Sequence, residues 1–244
     1  MKSLAAAVSF LTGLPLGRFV SFGATDVARS AGWFPLVGLL IGAICALAAL
    51  LLRGHLPLAL VAVILIALDA LLTGALHFDG LADTADGFGG GKDRDDVLRI
   101  MRDHAIGSYG GTALVLLVGF KVAAYTSLLG GARWPAALVL TPAVGRWSIL
   151  LLTAALPYAR KTASVVSQMS KGAVVGGTLI MAMAMAVSRL WCAGAVVGAA
   201  IVVSACFGLY CQRKIGGITG DTLGANVQLC ECAALVAFLW TGGR

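Results

Sequence analysis

The chain is predicted to be an all-α polytopic membrane protein, a single domain over residues 1–244 built from about seven transmembrane helices. Composition points to this class, because 59% of the residues are apolar and 12% are charged, whereas soluble domains carry about 25% charged residues. A row of apolar runs, each long enough to cross a hydrocarbon core of about 30 Å, supports it. These runs cover residues 33–52, 56–76, 112–130, 134–156, 173–188, 190–211 and 222–240.

The basic residues are distributed unevenly between the segments that join these runs. Twelve of the eighteen lie in one set of alternating segments and four in the other, while Lys121 and Arg146 fall within runs. Since cytoplasmic loops of membrane proteins carry the excess of Lys and Arg, the N-terminus and the acidic segment described next are expected in the cytoplasm. This topology and anionic lipid headgroups account for the net charge of +7, so no nucleic-acid partner is expected.

Seven of the eleven acidic residues fall between residues 79 and 103. Asp79, Asp83 and Asp86 are spaced i, i+4, i+7, which places them on one face of a helix. Such a stripe of like charges destabilises a helix unless a cation or a basic ligand neutralises it. Oxygen ligands without accompanying Cys favour Mg²⁺, Mn²⁺ or Ca²⁺, and a cytoplasmic site favours Mg²⁺. The stripe is therefore predicted to hold Mg²⁺.

Glycines divide this acidic segment into two predicted helices. Residues 77–86 are expected to continue the second transmembrane helix past the membrane surface, until the glycines of residues 87–91 break it. Residues 93–104 are expected to resume a helix with ion pairs typical of a solvated face. The expected pairs are Asp95 with Arg99 and Arg99 with Asp103. We interpret His77 as an interfacial or hydrogen-bonding residue rather than a metal ligand.

A second polar motif lies far along the chain, where residues 213–224 read RKIGGITGDTLG. Glycine-rich backbone exposes N–H groups that bind phosphate. Asp221 either extends the metal site or caps the following helix, and the sequence leaves both open. The predicted topology places this motif on the same side of the membrane as the Asp stripe, so we hypothesise one composite site.

Ionisable residues inside spans are costly and tend to be kept for a reason. They either pair within the bundle or line a cavity, and the residues concerned are Asp69, Lys121, Arg146 and Glu231. Small-xxx-small spacing predicts close helix packing at Gly38 with Gly42 and at Gly194 with Gly198.

Three motifs resemble the adenosylcobinamide-GDP ribazoletransferase family, also called cobalamin 5′-phosphate synthase. They are HFDGLADTADGFGGG at residues 77–91, IMRDHAIGSYGG at 100–111 and GGITGDTLGA at 216–225. The resemblance extends from FLTGLP at residues 10–15, through PYAR at 157–160, to Glu231. The chain departs from the family pattern at Gly13, at Gln228 and in the KTASVV that follows PYAR.

The resemblance implies a bacterial inner-membrane enzyme of late cobalamin biosynthesis whose active site faces the cytoplasm. Its substrates would be adenosylcobinamide-GDP and α-ribazole or the 5′-phosphate, with release of GMP and a requirement for Mg²⁺. Membrane lipid would be a further partner, and a homo-oligomer is left open. The metal match falls on Asp79, Asp83 and Asp86; catalytic roles are expected for Asp83, Asp86, Asp103 and Asp221, and substrate binding for Arg99, Arg160, Gly217, Thr219 and Glu231.

Two other classes were weighed against this family. CDP-alcohol phosphotransferases open an Asp-rich motif with DxxDG, which DTADG at residues 83–87 matches, but Gly90 and Gly91 stand where that motif has Ala-Arg. A cation-coupled transporter would place its carboxylates at mid-membrane rather than cluster them at one surface, and it would show related halves, which the sequence lacks.

Overall fold

The computed structural model describes residues 2–14, 23–103, 105–160, 169–188 and 192–242. The regular structure of this part of the chain is helical, as predicted, and a 3₁₀ turn joins the second helix to the third. In chain order the helices are α1 (Lys2–Leu11), α2 (Ala24–Ser30), α3 (Phe34–Leu52), α4 (Leu58–Thr73), α5 (Leu76–Gly90), α6 (Arg94–Ile100), α7 (Ser108–Leu129), α8 (Trp134–Ala155), α9 (Lys171–Ser188), α10 (Ala193–Ile215) and α11 (Gly220–Gly242).

Six segments of the described chain are long and apolar enough to cross a membrane. They are Thr25–Leu52, Ser108–Leu129, Trp134–Ala155, Lys171–Ser188, Ala193–Ile215 and Gly220–Thr241. The bent pair of α4 and α5 brings the number to seven if it counts as one span. The predicted class, a polytopic all-α membrane bundle, is confirmed.

The prediction that the acidic helix continues the second transmembrane helix is wrong, because α4 and α5 are bent by 91° relative to each other. Gly74 and Ala75 take left-handed backbone conformations, with φ of 60° and 57°. The amide of Ala75 donates to the carbonyl of Ala70 at 2.7 Å, which closes the last turn of α4 as a left-handed cap does. The acidic helix therefore runs across the direction of α4.

The glycines at 87, 89 and 90 lie within α5 and do not end it, contrary to prediction. A Cβ on Gly87 would lie 3.1 Å from the carbonyl oxygen of Val97, and one on Gly91 would lie 2.8 Å from Val97 Cα. The glycines therefore let α6 approach α5 backbone to backbone. The second acidic helix, α6, is also shorter than the predicted range of residues 93–104.

The two most buried spans, α8 and α11, form the centre of the bundle. A Cβ on Gly38 or Gly42 of α3 would lie 2.5 Å from a carbonyl oxygen of α8, which confirms the predicted close packing there. A Cβ on Gly194 or Gly198 would meet no described atom within 4 Å, so the packing predicted for that pair is wrong.

Four charged side chains from four helices pair inside the bundle. Lys121 Nζ lies 2.6 Å from Glu231 Oε2, Arg146 also pairs with Glu231, and Arg146 Nη2 lies 3.4 Å from Asp69 Oδ1. Lys121, Arg146 and Glu231 are each at most 2% exposed. Two acids and two bases balance in charge, and such mutual pairing compensates for their removal from water. Of the two possibilities that the sequence left open, pairing within the bundle is therefore the observed one.

Candidate active site

A short backbone bridge joins the two loops that precede and follow the spans α9 and α10. The amide of Ala159 donates to the carbonyl of Ile218 at 2.8 Å, and the amide of Ile218 donates to the carbonyl of Pro157 at 2.9 Å. Gly217 has φ of 157°, and a Cβ there would overlap the Pro157 carbonyl oxygen. Gly217, predicted to bind substrate, is therefore required by the backbone of this bridge.

Two basic side chains tie the bridge to the acidic segment. Arg94 donates through Nε to the carbonyl of Ile215 at 2.9 Å and through Nη2 to the carbonyl of Ala159 at 2.5 Å. Lys214 Nζ donates to the carbonyl of Phe88 at 3.0 Å. Sequence reasoning did not single out Arg94, because nothing in its spacing distinguishes it from a surface charge. These bonds hold α5, α6 and the two loops at one end of the bundle.

The first turn of α11 is capped by Thr219, not by Asp221. Thr219 Oγ1 accepts from the amide of Thr222 at 3.2 Å, and Thr222 Oγ1 accepts from the amide of Thr219 at 2.8 Å. This reciprocal arrangement satisfies the free N–H groups at the helix start. Asp221 is left to form an ion pair with Arg160, whose Nη2 lies 2.8 Å from Asp221 Oδ2. The capping role that the sequence allowed for Asp221 is therefore excluded.

Helices α5 and α11 cross at glycines, which brings the Asp stripe beside Asp221. A Cβ on Gly80 would lie 2.8 Å from the carbonyl oxygen of Asp221 and 3.1 Å from the Cα of Gly224. The carboxylate of Asp83 is repelled by Asp79, Asp221 and Asp86 and attracted by Arg160. The structure thus brings together the two motifs that lie more than a hundred residues apart in the sequence.

Asp86 differs from the other carboxylates of this cluster, because each of its two oxygens accepts a hydrogen bond from a backbone amide. Oδ2 accepts from the amide of Gly107 and Oδ1 from the amide of Gly110, each at 2.8 Å. The side chain is buried, and a Cβ on either glycine would overlap it. Asp86 therefore anchors the N-terminus of α7, where a negative charge also interacts favourably with the helix dipole.

The remaining predicted residues lie outside the carboxylate cluster. Asp103 is exposed and accepts from the amide of Ala105 at 3.1 Å. Arg99 pairs with Asp96 at 2.5 Å rather than with Asp95 or Asp103, so the predicted i, i+4 pairs are wrong. The hydrogen bond from Arg99 holds the pKa of Asp96 below its usual range. Glu231 belongs to the buried charge cluster, paired with Lys121 and Arg146.

Two cavities adjoin the Arg160–Asp221 ion pair. The basic cleft has a volume of about 420 Å³ and is lined by Arg94, Asp95, Leu98, Arg99, Arg102, Ala159 and Arg160. The apolar cavity has a volume of about 270 Å³ and lies between α1, α5, α8 and α11, with Asp79 and Asp221 in its wall. Arg160 thus lines one cavity and its partner Asp221 the other.

The carboxylates offer the oxygen ligands that Mg²⁺ prefers, without a ready-made cage. Within the described ranges, no three His, Cys, Asp or Glu side chains converge closely enough to hold a metal ion. Mg²⁺ sites on phosphorylated substrates use one or two carboxylates and take their other ligands from phosphate and water. The mutual repulsion of Asp79, Asp83 and Asp221 is relieved by such a cation, so the donor set fits one that arrives with a phosphate-bearing substrate.

Fold and site together define a polytopic membrane protein that places a cluster of carboxylates and arginines at one end of its helix bundle. Comparison with known families shows which family of membrane proteins this is. A model of the Cobalamin-5-phosphate synthase family matches residues 3–239, and the chain belongs to that family.

Relatives of nearly the same length carry the name adenosylcobinamide-GDP ribazoletransferase. The protein of Syntrophobacter fumaroxidans is 39% identical over 239 residues, covering 95% of each chain. That of Stutzerimonas stutzeri is 39% identical over the whole of both chains, and one from Klebsiella pneumoniae is 38% identical over 98% of this chain and 100% of its own. No solved structure gives a significant match.

Proposed function

We propose that this chain is an adenosylcobinamide-GDP ribazoletransferase, which joins adenosylcobinamide-GDP to α-ribazole or its 5′-phosphate late in cobalamin biosynthesis. A ribose hydroxyl oxygen bonds to the phosphorus that carries the cobinamide. The bond from that phosphorus to the bridging oxygen of the diphosphate breaks, and GMP leaves with that oxygen. The observation that carries the proposal is the crossing of α5 and α11 at Gly80, which brings the Arg160–Asp221 ion pair beside the helix that carries Asp79 and Asp83.

The basic cleft supplies the charge that a diphosphate substrate needs. Arg99, Arg102 and Arg160 line it and concentrate positive charge there. A planar guanidinium is well suited to binding phosphate oxygens through two parallel hydrogen bonds. We assign the cleft to the GDP end of adenosylcobinamide-GDP.

The carboxylates have two roles in this proposal. Asp79 and Asp83 would hold Mg²⁺ on the substrate diphosphate, where the cation would take its other ligands from phosphate and water and would neutralise charge that develops on the leaving GMP. Asp221 would accept the proton of the attacking ribose hydroxyl. Asp86 would position the site through α7, and a catalytic role of the exposed Asp103 remains part of the proposal.

Three other predicted substrate-binding residues act through the structure around the site. Gly217 and Thr219 shape the bridge and the start of α11, which orient Arg160 and Asp221. The ion pairs of Glu231 fix the deeper part of α11 against α7 and α8. We place the site on the cytoplasmic face of a bacterial inner membrane, in agreement with the bias of the basic residues.

The direct test uses purified protein in lipid nanodiscs with adenosylcobinamide-GDP, α-ribazole and Mg²⁺. Cobalamin and GMP should appear in equal amounts, and Asp83→Asn should lose this activity. Asp26→Asn, which removes a charge from an exposed side chain on α2 that lines neither cavity, is the matched control and should remain active. Folded wild-type protein that forms neither product would contradict the proposal.

A further inference from the structure

The apolar cavity beside the carboxylates has no role in the chemistry described above. Hydrocarbon side chains from four helices form most of its wall, among them Leu11, Leu76, Ile149 and Leu223. Its charged lining residues are Asp79 and Asp221. A ligand in this cavity would therefore have an apolar body and a polar end directed at the carboxylate cluster.

His77 lines this cavity and lacks a hydrogen-bond partner. Its side chain is 3% exposed, and neither ring nitrogen has a partner in the part of the chain that the structure describes. Buried polar atoms in folded proteins are nearly always hydrogen-bonded, because leaving one unpaired is unfavourable. A neutral imidazole carries one donor and one acceptor. Both nitrogens are inaccessible in the ring orientation shown, so a hydrogen bond from His77 to a bound molecule requires the ring to flip about its Cβ–Cγ bond.

The dimensions and the wall of the cavity favour a small aromatic molecule. Its volume of about 270 Å³ falls just below the usual range of roughly 300–1,000 Å³ for pockets that hold drug-sized ligands. Phe10 contributes to the wall, and its ring stacks on that of Phe34 with centroids 5.7 Å apart and planes at 14°. A second flat ring can add to this stack. A corrinoid nucleotide is far too large for the cavity.

We infer that this cavity binds the benzimidazole base of the ribazole substrate and that His77 is a specificity-determining residue for it. The inference rests on the proposed function. The base lies among the hydrocarbon side chains beside Phe10, and an N–H of His77 donates to the ring nitrogen that carries no ribose. The ribose then points to Asp221, which can accept the proton of the attacking hydroxyl.

The two substrates would consequently approach the Arg160–Asp221 pair from opposite sides. The nucleotide end of adenosylcobinamide-GDP occupies the basic cleft lined by Arg160, and the ribazole occupies the cavity lined by Asp221. This arrangement brings the attacking hydroxyl and the diphosphate to the ion pair from its two sides, and the pair separates for the hydroxyl to reach the phosphorus, with Asp221 on the hydroxyl and Arg160 on the diphosphate. It also predicts that ribazole binds in the absence of the other substrate.

The test measures binding of α-ribazole alone by equilibrium dialysis, together with KM for each substrate in nanodiscs. His77→Phe keeps a buried ring and removes the donor, so Kd and KM for α-ribazole should rise roughly tenfold, the effect of one lost hydrogen bond. KM for adenosylcobinamide-GDP should stay unchanged. His77→Gln, which restores a donor, should recover part of the affinity, whereas loss of packing alone would not be rescued.

A second substitution tests the cavity without changing His77. Leu76→Trp puts bulk into the cavity wall and should weaken α-ribazole binding at least tenfold, by filling space that the base needs. Leu71→Trp is the matched control, because Leu71 is 78% exposed on α4 and should leave binding unchanged. Thermal unfolding of each variant shows whether it is folded.

The outcomes separate this inference from the proposed function. If the wild type forms cobalamin, and folded His77→Phe and Leu76→Trp keep normal binding and KM for α-ribazole, the pocket assignment is overturned while the function stands. If native mass spectrometry finds a phospholipid retained by the wild type and lost from Leu76→Trp, while α-ribazole does not bind, the cavity belongs to an acyl chain. If the wild type forms no cobalamin, the proposed function itself fails.

Discussion

Replacing Asp86 by Asn is expected to destabilise the protein, whereas replacing Asp83 by Asn is expected to remove activity and leave stability unchanged. The two residues lie one turn apart on α5, yet their surroundings differ. Both oxygens of Asp86 accept backbone amides from the start of α7 at 2.8 Å. Asp83 is only partly buried and is repelled by three neighbouring carboxylates.

The size of the Asp86 effect follows from these contacts. Asn keeps one acceptor oxygen, and its amide nitrogen would face a second N–H donor. One hydrogen bond to a charged group is lost, which costs about 1.5–3 kcal/mol. Loss of the charge at the helix N-terminus adds about 0.3–1 kcal/mol. The sum is about 2–4 kcal/mol, equivalent to a fall in Tm of roughly 4–16 °C for a chain of this length.

The assay compares thermal unfolding in detergent with turnover in nanodiscs for both variants. Asp83→Asn relieves repulsion, so its Tm should match or slightly exceed that of the wild type while turnover falls by about 10²-fold or more. Asp26→Asn is the charge-matched control, since Asn keeps the acceptor for the Gly23 amide, and it should change neither quantity. An unchanged Tm for Asp86→Asn, or a large fall in Tm for Asp83→Asn, would refute the different roles assigned to the two carboxylates.

Three further perturbations test other parts of the structure. Lys121→Met removes one of the two cations that pair with the buried Glu231, so a buried negative charge is left uncompensated and the free energy of unfolding should fall by about 3–5 kcal/mol. An unaltered unfolding midpoint would argue against the ion pair. Gly217→Ala should reduce turnover by pushing a Cβ into the Pro157 carbonyl, whereas Gly119→Ala on α7, whose Cβ meets nothing within 4 Å and which lines neither cavity, should be tolerated, and equal behaviour of the two would contradict the assigned role. Chelation of divalent cations should stop turnover without lowering Tm, with Mg²⁺ restoring it; full turnover in excess chelator would rule out the metal.

The class of fold and the acidic segment could be predicted because both depend on local composition. Runs of apolar residues mark spans wherever they occur, and the i, i+4, i+7 spacing of Asp79, Asp83 and Asp86 survives in α5. The bend between α4 and α5 could not be predicted in the same way. It depends on Ala75 taking a left-handed conformation that its type does not favour.

The parts of the site that the sequence did not reveal all depend on contacts across the chain. In the sequence, Arg94 cannot be distinguished from the other surface charges. Only the fold shows that it donates hydrogen bonds to carbonyls 65 and 121 residues away. Asp86 looks identical to Asp83 in spacing, and its role depends on the amides of Gly107 and Gly110. Similarly, both Thr219 and Asp221 can cap a helix, and only the structure shows that Thr219 does so while Asp221 pairs with Arg160.

The most direct test of the composite site is a double-mutant cycle on kcat/KM with Asp83→Asn and Asp221→Asn. These residues come from separate motifs. In the structure their carboxylates lie at one end of the bundle, near enough to repel each other. If they act as one unit, each single variant should lose about 10²-fold or more, and the double variant little more than the worse single one. Near-normal activity of Asp221→Asn, or losses that simply multiply in the double variant, would contradict a shared active site.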